Sequence, residues 1–186
     1  MKIAIDFDCT LFPTVESVIE VYNRRYNDNI SIDQLTKYSL YDSLDKDVAD
    51  KMFDIFRDKE TYENLKPYEY AVEAVKQLVN KGHEIFIATA TDIASIGWKA
   101  NLLQKYFPFI PKNNLIRINH KHLLKVDIII DDYLVNLTDS SAEKICFNHV
   151  WNRDKDIDKK YNIHRVYAWN DVLDIINDIE RKNKNE

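Results

Sequence analysis

Glycine is nearly missing from this chain, with two in 186 residues. That scarcity excludes a GxGxxG turn and a Walker A loop, so any phosphate must be gripped without a glycine-rich cradle. Cysteine is as rare: Cys9 and Cys146 lie far apart with no CxxC spacing, the pattern of reduced thiols and not of a disulfide framework or a zinc ribbon. No apolar run approaches the ~18 residues of a membrane span, and Met1-Lys2 leads straight into a strand pattern without a signal-peptide or transit-peptide profile. A cytoplasmic location and no membrane partner are therefore expected. A cationic surplus is lacking too. Lys and Arg number 26 against 31 Asp and Glu, a net charge of -5, which argues against a nucleic-acid polymer as partner. A small anionic ligand held at a local metal or lysine stays compatible with that balance.

What is present is 45% hydrophobic residues in a length suited to one domain with a modest insertion. Lys2–Asp8 alternates as a strand, with Ile3, Ile5 and Phe7 on one face and Ala4, Asp6 and Asp8 on the other. Helical spacing follows from Thr14 to Asn27, a short helix opens at Ser31 with Gln34 closing a capping box, and Val48, Met52, Phe53 and Phe56 mark a third helix. A longer helix is expected over Pro67–Lys81, stopped by Gly82. Strands and helices then alternate: strands at 83–89, 115–118, 126–132, 144–149 and 164–169, a helix from the Asp92 cap to Tyr106, and a closing helix over Asp171–Arg181. Asparagines in the loops suit left-handed positions, and the KNKNE tail reads as a frayed end. The fold expected is α/β: a Rossmann-like parallel sheet flanked by helices, from residues 1–13 and 66–186, with residues 14–65 forming a small helical cap inserted after the first strand.

The chemistry is expected where such sheets bind ligands, at the carboxyl ends of the strands. The stretch AIDFDCTLF places Asp6 and Asp8 at the first strand exit, IFIATAT places Thr89 and Thr91 at the second, and VDIIIDD ends in Asp131 and Asp132. Lys121 and Lys125 precede that last strand. Buried carboxylates need a compensating partner, and acids from two strand tips suit a hard cation such as Mg²⁺. Along an extended strand Asp6 and Asp8 stand roughly 6.5–7 Å apart, so both carboxylates do not easily reach one ion. A division of labour follows, with one acid on the metal and the other free for proton transfer.

The order DxDxT (Asp6, Asp8, Thr10), Thr89, Lys121 and Asp131-Asp132 resembles the four motifs of haloacid-dehalogenase-like phosphohydrolases. Within that superfamily "LKPYEYAVEAVKQL", "IFIATAT", "KYFPF" and "DIIIDD" are similar to the 5'(3')-deoxyribonucleotidase family, over residues 2 to about 137. The resemblance implies that Asp6 attacks phosphorus to give an aspartyl-phosphate and that Asp8 passes the proton to the leaving oxygen and later takes one from water. It implies Mg²⁺ held by the Asp6 carboxylate, the Asp8 carbonyl and Asp132, with Asp131 close by, and a phosphoryl group gripped by Thr89 and Lys121. Motif spacing prefers Lys121 to Lys125. For substrate binding it points to Thr10, Thr91, Phe56 and Tyr62, the two aromatics as stacking surfaces of the cap. Thr14 stands where animal members carry an aromatic, Ala90-Thr91 replaces Ser-Pro, and Asn119 replaces an Arg. Base and sugar preference are left open by these departures.

The function expected is a Mg²⁺-dependent phosphatase of nucleoside, above all deoxyribonucleoside, 5'- or 3'-monophosphates. The alternatives are a phosphatase of another small phosphomonoester and, in a different class, a phosphoacceptor signalling domain. Such a receiver lacks a helical insert after its first strand and ends a middle strand in Asp, where this chain has Thr89. His120, His122 and His149 lack zinc-site spacing and read as surface or packing residues. The oligomeric state, a homodimer included, is left open.

Overall fold

Four apolar or β-branched stretches have no polar face to offer solvent, and the fold accordingly buries them side by side. A computed structural model describes residues 1–183. In chain order it contains β1 (Lys2–Ile5), α1 (Thr14–Tyr26), α2 (Lys46–Ile55), α3 (Glu60–Glu63), α4 (Ala71–Asn80) and β2 (Glu84–Thr89). Then come α5 (Ile93–Tyr106), β3 (Leu115–Arg117), β4 (Ile128–Asp131), α6 (Leu134–Thr138), β5 (Glu143–Phe147), α7 (Lys155–Tyr161), β6 (Ile163–Val166) and α8 (Trp169–Asn183). All pairings are parallel and the sheet order is β3-β2-β1-β4-β5-β6. β1 and β4 are the central pair, joined in the register Ile3 to Ile128 and Ile5 to Ile130, and each of these four side chains is fully buried. Parallel strands covered on both faces are apolar throughout, which is the reason IIID and IAI carry no alternation.

α4, α5 and α8 supply Leu78, Leu102 and Ile176 to the core around Phe7, Phe12 and Trp169. The stretch between β1 and α4 holds helices only, among the described residues, and has its own apolar cluster of Val18, Tyr22, Leu35, Leu40, Met52 and Ile55. Truncating a fully buried residue such as Met52 costs about 2–5 kcal/mol by the usual cavity penalty. Asn27 ends α1 in the left-handed conformation with its N–H on the Asn23 carbonyl, and Asn162 ends α7 the same way. Asn there needs little strain because its short polar side chain tolerates positive φ. Gly82, at φ 86°, turns the chain from α4 into β2.

Three sequence expectations are corrected. The 67–81 helix begins only at Ala71, because the Tyr68 N–H is taken by the Leu11 carbonyl at 2.9 Å and Tyr70 sits at φ 61°. The last strand stops at Val166, and Trp169 opens α8 with its ring in the core. α7 was not expected; its signal is Asp154, whose carboxylate accepts from the N–H groups of Asp156 and Ile157. Of the KNKNE tail, Lys182 and Asn183 continue α8 and the remainder lies outside the described residues.

Candidate active site

In a sheet of this order successive strands are added to one side of β1 up to β3 and to its other side from β4 onward, and the crevice beyond the carboxyl ends of β1 and β4 is the place where ligands gather. The Asp6 N–H extends the ladder one step by donating to the Ile130 carbonyl at 2.9 Å. The chain then turns sharply: Cys9 lies at φ 54°, its N–H on the Phe12 carbonyl at 2.8 Å, and the N–H groups of Leu11 and Phe12 return to the Phe7 carbonyl. This turn sends the two acids of the DxD stretch to different stations.

Asp6 joins Asp131, the last residue of β4, and Asp132. One carboxylate oxygen from each lies within 4.8 Å of the others, and all three residues are buried. Lys121 is buried with them and donates to Asp6 Oδ1 and, at 2.6 Å, to Asp131 Oδ2. Both oxygens of Asp131 are engaged, since its Oδ2 also accepts from Asn136 at 3.0 Å and its Oδ1 from the Tyr133 N–H at 2.8 Å. Asp132 accepts one bond, from the Trp151 indole at 2.9 Å on Oδ2. Burial, together with the charges of Asp131 and Asp8 and against the pull of Lys121, raises Asp6 to about 7. Asp132 is pushed well above the usual carboxylate range by burial and by Asp131 and Asp6. Lys121 moves up: burial works against its charge, but Asp131 and Asp6 outweigh it. Such a concentration of oxygen ligands short of positive charge suits a hard divalent cation, whose presence would reverse those carboxylate shifts.

The second station holds Asp8. Its Oδ2 accepts from Lys99 and, at a long 3.4 Å, from the Thr89 hydroxyl; Lys99 also donates to Thr89 Oγ1 at 2.9 Å. Asp8 Oδ1 is buried with no hydrogen-bond partner. Sequence reasoning missed Lys99, although a signal was there. It occupies the buried stripe of α5 with Ser95, Leu102 and Leu103, a position where a solvated lysine does not belong, and its ammonium lies 4.9 Å over the Phe7 ring. With the Asp6 cluster, four carboxylates and the two buried ammonium groups of Lys99 and Lys121 meet at one mouth, whose lining also includes Lys37, Arg57 and Asp92.

That mouth opens into a cavity of about 490 Å³. Its far wall comes from the helical insertion through Leu35, Tyr38, Leu40, Phe53 and Phe56. Tyr38 stacks on Tyr133 with ring centroids 3.6 Å apart, and burial and the nearby carboxylates raise its phenol. On the opposite rim Arg57 reaches Asp92 at 3.3 Å, and Ser95 Oγ donates to the Phe56 carbonyl at 2.9 Å. Of the residues expected to bind substrate, Phe56, Tyr62 and Thr91 line this cavity. Tyr62 is 3% exposed and its hydroxyl is spent on the Phe56 carbonyl. Thr10 does not line it; fully buried, its hydroxyl has no partner and its carbonyl accepts from the Trp169 indole at 3.1 Å. Lys125, His120 and His122 are exposed outside the mouth. Asp92 caps α5 through the Ala94 N–H, leaving Thr91 on the cavity side.

Comparison with known proteins agrees with this architecture. Residues 1–183 match the model of the family described as 5' nucleotidase, deoxy (pyrimidine), cytosolic type C protein. A protein of Staphylococcus epidermidis is 31% identical over 182 residues, covering 97% of this chain and 98% of its own. The 5'(3')-deoxyribonucleotidase of Clostridium acetobutylicum is 28% identical over 151 residues, 81% of this chain and 83% of that one. Among solved structures, a haloacid-dehalogenase-like protein of Agrobacterium tumefaciens superposes with a TM-score of 0.63 at 11% identity, over 96% of this chain and 98% of that one, which speaks for the fold alone. A parallel six-stranded sheet of this order and a match along residues 1–183 together place the chain in the deoxy-type cytosolic 5' nucleotidase family, within the haloacid-dehalogenase-like fold, and make it a phosphomonoester hydrolase.

Proposed function

We propose that the enzyme is a Mg²⁺-dependent phosphatase of nucleoside monophosphates, deoxyribonucleoside 5'- or 3'-monophosphates above all, working through an aspartyl-phosphate on Asp6. The observation that carries this reading is the separation of the two DxD carboxylates. Asp6 sits among acids and Lys121, whereas Asp8 stands apart with one buried oxygen unpartnered. A nucleophile and a proton carrier need different surroundings, and these are different.

In the first step an Asp6 oxygen forms a bond to phosphorus while the bond from phosphorus to the leaving oxygen breaks. Asp8 gives that oxygen its proton. In the second step water attacks phosphorus, Asp8 takes a proton from it, the Asp6–phosphorus bond breaks, and inorganic phosphate leaves. Lys121 and Thr89 bind phosphoryl oxygens, and Lys99 holds Asp8 on the leaving-group side. The donor set fits a hard cation: Asp6 and Asp132 would supply carboxylates with Asp131 close by, and the Asp8 carbonyl would supply a further oxygen. When bound, Mg²⁺ would supply charge stabilisation for the phosphoryl oxygens.

Residues 14–65 act in this reading as a cap over a core made of 1–13 and 66–186, with Phe56 as the stacking surface for the base, Tyr62 behind it, and Thr91 on the phosphate side; Thr10, buried outside the cavity, has no substrate contact in it. A cavity of about 490 Å³ lies within the size range of small-molecule sites. The cytoplasm is the compartment this reading assigns. Phosphate release from a panel of 5'- and 3'-monophosphates and sugar phosphates, with Mg²⁺ or with chelator, and beside Asp6→Asn, tests the proposal. Preference for nucleotides, dependence on Mg²⁺ and a silent Asp6→Asn are expected. Equal rates across the panel remove the nucleotidase reading, and an active Asp6→Asn removes the covalent step.

A further inference from the structure

At the edge of the cavity, which Trp151 helps to line, one arrangement ties the two acid-bearing turns to each other. His149 and Trp151 follow β5 and stack ring on ring, with centroids 4.5 Å apart and planes 5° from parallel. The outer nitrogen of His149, Nε2, lies 2.6 Å from the Cys9 carbonyl; a carbonyl only accepts, so Nε2 carries the hydrogen. Cys9 is the residue directly after Asp8, at the strained left-handed position of the DxD turn. From the other ring of the stack, Trp151 Nε1 donates to Asp132 Oδ2 at 2.9 Å. The stacked pair therefore spans from the backbone of the first acidic turn to a carboxylate of the second.

The segment carrying the rings is itself fixed. Asn152 donates through Nδ2 to the carbonyls of Asp132 and Phe147, both at 2.7 Å, and its Oδ1 accepts from the His149 N–H at 2.9 Å. Arg165 of β6 donates to Asn152 Oδ1 and to its carbonyl, each at 2.8 Å. Asp158 of α7 holds Arg165 through bonds of 2.6 and 2.8 Å. A turn secured at this many points places its two rings with little freedom.

We infer that the His149–Trp151 ring pair is a positioning brace that sets the spacing between the DxD turn and the Asp132 carboxylate. By occupying Asp132 Oδ2, Trp151 leaves Oδ1 as the oxygen available to a cation. By holding the Cys9 carbonyl, His149 fixes the peptide next to the Asp8 carbonyl. The inference rests on the proposed reading of this mouth as a divalent-cation site. Partners of this kind, one shell out from a ligating group, typically change metal affinity 10–100-fold when removed.

The test is calorimetric titration of the full-length protein with Mg²⁺ alone, without substrate, for the unaltered chain, Trp151→Phe and His149→Phe. Both variants keep an aromatic ring in the stack; Trp151→Phe deletes one N–H donor, and His149→Phe deletes the Nε2–H donor together with the side-chain acceptor of the Asn152 N–H, a loss that the melting of the chelator-treated protein reads separately. Mg²⁺ binding about tenfold weaker or more in each, with melting of the chelator-treated protein little changed, is the expected result. At saturating Mg²⁺ the substrate KM should return toward that of the unaltered enzyme, which a packing defect would not allow. Mg²⁺ dissociation constants within twofold of the unaltered protein, whatever the melting temperature, overturn the brace while leaving the cation reading intact. An unaltered protein that takes up no Mg²⁺ removes the cation reading and the brace with it. Should Trp151→Phe fail to fold, His149→Phe carries the same comparison alone.

Discussion

Replacing Lys99 by Met deletes a charge from the Asp8 station and keeps most of the side-chain volume. Lys99 is 1% exposed, and its ammonium donates to Asp8 Oδ2 and Thr89 Oγ1. Breaking a fully buried ion pair costs about 3–5 kcal/mol because the surviving charge stays desolvated. Here the surviving carboxylate belongs to a side chain that is 26% exposed, so water from the cavity can replace part of what is lost. An unsatisfied acceptor costs about 1–3 kcal/mol, and that is the expected destabilisation. At about 2–4 °C per kcal/mol for a chain of this size, the melting point should fall by about 2–12 °C. The effect on turnover should be larger. A positioned general acid–base is worth about 10²–10⁴-fold, and an Asp8 released from its holder should forfeit much of that in kcat, with KM little changed. Steady-state kinetics and a calorimetric melt, run beside Lys99→Arg, measure both quantities. A kcat within threefold of the unaltered enzyme alongside the lowered melting point would show that Lys99 only packs α5, and would refute the reasoning.

Three further outcomes follow from the same geometry. Asp6, raised to about 7 from an ordinary 3.8, binds its proton more tightly folded than unfolded, so metal-free stability should fall as pH rises from about 4 through 7. Mg²⁺ displaces that proton, so the gain in melting temperature on adding Mg²⁺ should be larger at pH 8 than at pH 5; equal gains would contradict the shift and its cause. Lys121→Met leaves Asp6 and Asp131 facing each other without their shared ammonium, and should lower kcat by about 10²–10³ while Mg²⁺ still raises the melting point; undiminished turnover would remove Lys121 from the phosphoryl grip. Phe56→Ala should raise KM for nucleotides by the equivalent of about 1–3 kcal/mol of stacking and leave inhibition by inorganic phosphate unchanged, whereas equal losses for both ligands would indicate a collapsed insertion.

The site also illustrates how a protein with a net charge of -5 can handle a phosphate ester. Phosphate carries negative charge, and two buried lysines beside four carboxylates cannot attract it by themselves. In the proposed reading the arrangement becomes favourable when a divalent cation enters, since the carboxylates that repel the substrate are the groups that would hold the ion. The same requirement explains why the acids cluster at β1 and β4: only neighbouring strand ends bring side chains from distant sequence positions within one coordination shell.

How much was legible in the sequence differs by the range of the physics involved. Apolar runs without alternation marked buried parallel strands, helical spacing marked α1 and α2, the Asp92 cap marked α5, and the absence of any strand pattern between Thr14 and Leu65 marked the helical insertion. Those signals are local, because burial on both faces or on one stripe imposes a composition on consecutive residues. The acids at strand exits were likewise visible, since a carboxylate ending an apolar run has few structural reasons to be there. Tertiary structure alone decided which groups meet. Nothing in the spacing of Asp6 and Asp8 fixes the turn at Cys9 that sends one to Asp131 and Lys121 and the other to Lys99 and Thr89. The start of α4 was set by a backbone bond from Tyr68 to Leu11, across the fold, that no local propensity encodes. Trp151 escaped sequence reasoning because a loop tryptophan looks ordinary until the chain brings a carboxylate to it, and for Lys99 the buried stripe of α5 was a signal of burial but not of the partner that burial brings. Local chemistry selects the elements; the long-range pairing of buried charges, each too costly to leave alone, selects the site.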